Sequence, residues 1–193
     1  MAQVKEIFTF WFGAPRDDKT YYDEWHSRWF TSAPQFDQEV RDRFMEDYQQ
    51  AAARQLAEWQ TEPRAGLALV LLLDQLPRNM FRGTPKAFAT DASAREAASH
   101  LIRSGCERQL LPIERAFVYM PFMHSEALAD QHASVALFQQ LAQEREYLTF
   151  VTFAIKHREV IDRFGRFPHR NAILGRPSTA EEAAFLTQPG SSF

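Results

Sequence analysis

Three stretches of the chain carry residues whose types and spacing can do chemistry. The first is Asp74-Gln75-Leu76-Pro77-Arg78-Asn79, directly after the apolar run from Ala65 to Leu73. Asp74 falls at core spacing from Val70 and Leu71, so its carboxylate must be paired or hydrogen-bonded, because an isolated buried charge is very costly. Arg78, four residues on, is within reach. Together they either pin a break between helices or form the floor of a polar pocket that Gln75 and Asn79 complete. The second stretch runs from Lys156 to Arg176 and holds six Lys or Arg against two acidic residues, whereas residues 1–60 hold seven against 11. Within it, Arg166, Arg170 and Arg176 surround a loop that also contains His169 and Asn171. Arginine forks suit a phosphate or carboxylate, although arginines at helix C-termini also complement the helix dipole and brace loops. The third group is the histidines. His124 stands in a turn, His157 lies on an apolar stripe, and His169 sits among the arginines. With a carboxylate such as Asp74 to orient a ring, His124 or His157 is the candidate for proton transfer. The competing reading of His157 is a satisfied core histidine.

Other chemistries lack their residues. There is no HExxH, no Glu-x-x-His pair and no zinc-type spacing, so no metal and no cofactor are expected. P-loop, GxSxG and GxGxxG signatures are missing too. Cys106 is the only cysteine, so neither an internal disulfide nor a multi-cysteine site is available within one chain. The formal net charge of -3 gives no reason to expect nucleic acid. Four lysines against 18 arginines fit either an arginine-rich site or a general composition bias. The N-terminus lacks a secretion-type apolar core, and the nine-residue run Ala65–Leu73 is short of the roughly 20 residues that span a bilayer. The expected location is cytoplasmic, away from membranes.

The elements that must position these groups read as helices. With 45% apolar and 24% charged residues in 193, the chain has an ordinary globular composition. Val4, Ile7, Phe8 and Trp11 predict a short helix that Gly13 and Pro15 end. Tyr22, Trp25 and Trp29 mark one over Lys19–Phe30, and Phe36, Val40, Phe44 and Tyr48 mark another, capped by Thr31 or Ser32. A helix from Pro63 stops at Pro77, and one through Ala87 to Ile102 closes at Gly105. A short helix follows Pro112, and Pro121–Asp130 reads as a turn region. Asp130–Gln143 and a segment from Glu144 to Phe164, closed by Gly165, are helical. Ser178 and Thr179, each with a glutamate three residues on, announce a last helix. Strand signals are thin. The expectation is an all-α single domain of about seven or eight helices over 1–187, with a flexible tail at 188–193.

Several of these blocks carry a family likeness. Leu73-Asp74-Gln75-Leu76-Pro77-Arg78-Asn79 with Phe81-Arg82-Gly83, Pro121-Phe122-Met123-His124-Ser125-Glu126, and Arg163-Phe164-Gly165-Arg166-Phe167-Pro168-His169-Arg170-Asn171 with Leu174-Gly175-Arg176 resemble the bacterial family of uncharacterised proteins known as DUF924. Phe10-Trp11-Phe12 and Trp29-Phe30 match that pattern as well. The resemblance implies a single all-α domain of antiparallel helix pairs, related to the tetratricopeptide-like superfamily, and supplies no reaction. Its blocks map onto Asp74, Gln75, Arg78, Asn79, His124, Asp130, Gln131, His157, Arg166, His169, Arg170 and Asn171.

Two functions fit these residues. In the first, Arg78, Arg166 and Arg170 clamp a small phosphate- or carboxylate-bearing ligand, with Gln75, Asn79, His169 and Asn171 around it and His124, His157 and Asp74 available for catalysis. In the second, a non-enzymatic adaptor holds a peptide or protein partner on stacked helices through Trp11, Trp25, Trp29 and Trp59 and an arginine-rich rim. A third reading makes the same polar residues an internal network that specifies the fold.

Overall fold

The computed structural model describes residues 2–13, 29, 33–142 and 147–192. The expected helix over Lys19–Phe30, apart from Trp29, and the expected caps Thr31 and Ser32 lie outside the described residues. The protein is all-α, and no strand occurs among the described residues. The chain divides into two compact units, Met1–Arg82 with Lys86–Pro121, and Gly83–Pro85 with Phe122–Phe193.

The first unit is built around the apolar run. Helix α3, Pro63–Leu73, begins with a proline whose missing N–H costs nothing in the first turn, and every residue from Gly66 to Leu73 is buried. It packs against α1 (Ala2–Phe12), α2 (Pro34–Ala52) and α5 (Asp91–Ser104). The contact with α5 is close because Gly66 has no side chain. A Cβ there would stand 2.5 Å from Leu101 Cδ2, and Leu101 is itself fully buried. Residues Ala94, Ala97, Ala98 and Leu101 form the buried face of α5, and the helix ends as expected at Gly105 with φ +72°.

The break after α3 differs from the sequence reading. The chain bends at Asp74 and not at Pro77, which lies inside a new helix α4, Gln75–Met80. Proline explains the position of the break. Pro77 cannot donate to the carbonyl four residues back, Leu73 O, and its ring crowds that carbonyl. Leu73 O instead accepts from Thr90 Oγ1 at 2.6 Å, so the orphaned acceptor is satisfied from outside the helix. Likewise, α6 (Pro112–Met123) continues through Pro121, where the sequence reading begins a turn.

In the second unit, α7 (Leu128–Leu141) packs along α8 (Leu148–Phe164), with Phe138 stacked on Phe150 at 5.8 Å. Gly165, at φ +67°, ends α8 as its sequence signal requires. A single turn at Pro168–Arg170 follows, and then α9, Ala180–Leu186. Thr179 is the N-cap of α9, in a full capping box with Glu182. Val160, Ile161 and Phe167 form a core on which Phe164 and Phe185 pack. In the expected tail, Ser191 is buried and donates from Oγ to Leu186 O. Among the described residues, no helix is long and apolar enough to cross a membrane.

Candidate functional site

In the first unit the arginines meet carboxylates. Asp74 is fully buried, and Gln75 Nε2 donates to its Oδ2. Arg78 donates from Nη1 to the Asp74 main-chain oxygen, lies 3.4 Å from Asp74 Oδ1, and reaches both oxygens of Asp91 at 3.1 and 3.2 Å. Burial disfavours the Arg78 charge, but Asp74 and Asp91 outweigh it and raise its pKa further. Asn79 donates to Asp37 at 2.9 Å, and Arg82 grips the same carboxylate at 2.6 and 2.9 Å. Burial acts to raise the Asp37 pKa. The hydrogen bonds from Arg82 and Asn79 prevail and hold it below the usual value. These contacts tie α4 to α2 and to the start of α5. Asp37, Asp91 and Thr90 were not singled out from the sequence, since partners 13 to 45 residues away leave no local spacing signal.

Two arginines of the second unit are similarly engaged. Arg166 forms a two-pronged pair with Glu182 at 2.6 and 2.8 Å and also donates to Pro177 O. Glu182, almost fully buried, is lowered to about 2, first by Arg166 and then by the Thr179 N–H. Arg176 pairs through both Nη atoms with Glu126 at 2.8 and 2.9 Å, and the Phe167 N–H donates to the same carboxylate at 2.8 Å. Asn171, fully buried, links the two pairs by donating to Ser178 and Glu182 and accepting from Arg176 Nε. The expected convergence of Arg166, Arg170 and Arg176 on one anion is therefore replaced, for Arg166 and Arg176, by a carboxylate for each. Glu182 was legible as a capping residue but not as the partner of Arg166.

A second group in this unit is of another kind. The Phe167 ring, fully buried, is surrounded by His157 at 5.5 Å, His169 at 5.6 Å and the Arg170 guanidinium at 4.5 Å. His124 lies 6.4 Å from His157, ring to ring. His157 Nδ1 is 2.8 Å from Phe153 O. A carbonyl only accepts, so Nδ1 carries the proton and Nε2 of the neutral ring keeps its lone pair. Phe153, on the same helix, thus helps to orient the His157 ring. Burial lowers the His157 pKa to about 3, helped by the charges of His124, Arg170 and His169 and opposed by the bond to Phe153. His169 is lowered to about 4, by burial and then by Arg170. Both rings are neutral at pH 7. His124 and His169 are partly exposed, while His157 and Arg170 are buried.

Among the described residues, no group of three His, Cys, Asp or Glu is arranged to hold a metal ion. Trp11, Trp29 and Trp59 are buried, with Trp11 and Trp29 edge-on to Phe117, so these three line no open groove. Trp25 lies outside the described residues.

Fold and polar groups together define an all-α protein of two compact helical units, with a carboxylate-balanced network in the first and a histidine–arginine cluster in the second. The chain belongs to the DUF924 family, described as a bacterial protein of unknown function, whose profile matches residues 7–190. It is similar to a solved protein of unknown function from Agrobacterium tumefaciens. The two are 39% identical over 96% of this chain and 97% of the other, with a TM-score of 0.83. No curated protein matches the chain.

Proposed function

We propose that the protein binds a small anion, a phosphate- or carboxylate-bearing molecule, at the cluster of His124, His157, His169 and Arg170. The observation that carries this reading is the gathering of basic side chains there. The Arg170 guanidinium and the rings of His157 and His169 lie against Phe167, with His124 beside His157. An anion beside Arg170 would oppose the cationic surroundings of His157 and His169 and raise their pKa values. Partly exposed His124 is the proton-transfer candidate, because it combines access to solvent with proximity to the His157 ring. In this reading Asp74, Gln75, Arg78, Asn79, Arg166 and Asn171 brace the fold.

The test is calorimetric titration of the protein with inorganic phosphate and with citrate at low salt. Arg170→Gln should weaken binding by about 5- to 150-fold, the equivalent of about 1–3 kcal/mol for a charge-assisted contact. Arg166→Gln should leave it near the wild-type value. Equal affinity in wild type and Arg170→Gln sinks the proposal, as does a lack of saturable binding to either anion. The adaptor reading draws less support, since its aromatic surface loses the buried Trp11, Trp29 and Trp59.

A further inference from the structure

His124 follows Met123, the last residue of α6, and its main chain is gripped on both sides by one distant side chain. Gln131, fully buried in the first turns of α7, donates from Nε2 to Met123 O at 2.7 Å and to Ser125 O at 2.6 Å, with Phe122 O at 3.5 Å. A primary amide has two N–H donors, so the two short bonds use both, one on each side of His124. The same geometry fixes the orientation of the amide, because an oxygen turned toward these carbonyls would have nothing to accept. Its own Oε1 is left with no hydrogen-bond partner in a buried position, a costly arrangement that the fold carries while both donors remain on the turn. Asp130 adds a second hold. Ser125 Oγ donates to Asp130 Oδ2 at 2.6 Å, and the Ala127 N–H donates to Ser125 Oγ at 3.2 Å. Two consecutive residues of α7 thus immobilise the backbone from Met123 to Ala127.

We infer that Gln131 is a positioning residue for His124, clamping the peptide units before and after it and so aiming its imidazole at a ligand on the His157–His169–Arg170 cluster. The aim, though not the clamp, rests on the anion-binding reading above.

Histidine ring signals followed by NMR, with and without inorganic phosphate, separate the two ideas. In Gln131→Met the His124 titration curve should move even without phosphate. The ring signals of His132, exposed on the same helix, should stay at their wild-type positions. Phosphate affinity should fall by about 10-fold or more, the scale on which supporting contacts usually act on a site. Ser134→Ala removes another fully buried polar group from α7 without touching the turn, and should change neither the His124 curve nor the affinity. If Gln131→Met does not fold, Gln131→Asn, which keeps the amide but shortens its reach, is read in the same way. An unchanged His124 curve overturns the positioning role whatever phosphate does. A shifted curve in a protein that binds no phosphate upholds the clamp and overturns the anion site.

Discussion

Arg78 and Arg82 in the first unit and Arg170 in the second stand in different surroundings. Arg78 and Arg82 pair with three carboxylates, Asp37, Asp74 and Asp91, so each guanidinium there is held by acidic groups. Arg170 lies over the Phe167 ring, with His157 and His169 against the same ring and His124 beside His157. Arginine as a residue type does not distinguish a brace from a binding group. The groups packed around it do, because a guanidinium gripped by a buried carboxylate has little left to offer a ligand.

That comparison breaks most visibly at Asp74. Asp74→Ala removes a fully buried partner of Arg78 and should destabilise the protein by about 3–5 kcal/mol in denaturant unfolding, with phosphate affinity unchanged in the folded fraction. A loss of affinity as large as that of Arg170→Gln would erase the distinction between the two groups.

The next largest effect is the response to acid. His157 and His169 have folded pKa values of about 3 and about 4, below the ordinary histidine value of 6.5. The unfolded chain therefore takes up protons first as pH falls, and stability declines from about pH 6.5 to about pH 4 through His169 and to about pH 3 through His157. The limiting slope is about 1.4 kcal/mol per pH unit for each histidine. His157→Gln should flatten that slope, and saturating phosphate should shift the decline to lower pH by favouring the folded form. A slope unaffected by His157→Gln would show that the burial of this ring contributes nothing to the acid response.

Glu182→Gln sharpens the contrast within the second unit. It leaves the cluster around Phe167 alone but weakens the hold on Arg166, and should cost about 1.5–3 kcal/mol at pH 7. Glu182 has a folded pKa of about 2, below the ordinary glutamate value of 4.5. Its contribution is complete above pH 4.5 and is lost as pH falls toward 2, so wild type and variant should converge in acid. The smallest effect belongs to the exposed pair Arg54–Glu96. There Glu96→Gln should change stability by no more than about 0.5 kcal/mol, read as a shift in the denaturant midpoint.

The chain's local chemistry determined much of this by itself. The closures at Gly105 and Gly165 and the Thr179–Glu182 box were legible because each depends on backbone geometry and residues within one helical turn. The need of Asp74 for a partner was legible from its spacing after Val70 and Leu71. The site of the break was not, because Leu73 O is satisfied by Thr90, 17 residues away. Tertiary structure alone decided which carboxylate each arginine received. Arg82 with Asp37 and Arg176 with Glu126 are 45 and 50 residues apart, and no periodicity of 3.6 residues extends to such distances. The placing of Arg170 beside the histidines is of the same kind, since it depends on where whole helices pack and not on the order of residues along any one of them.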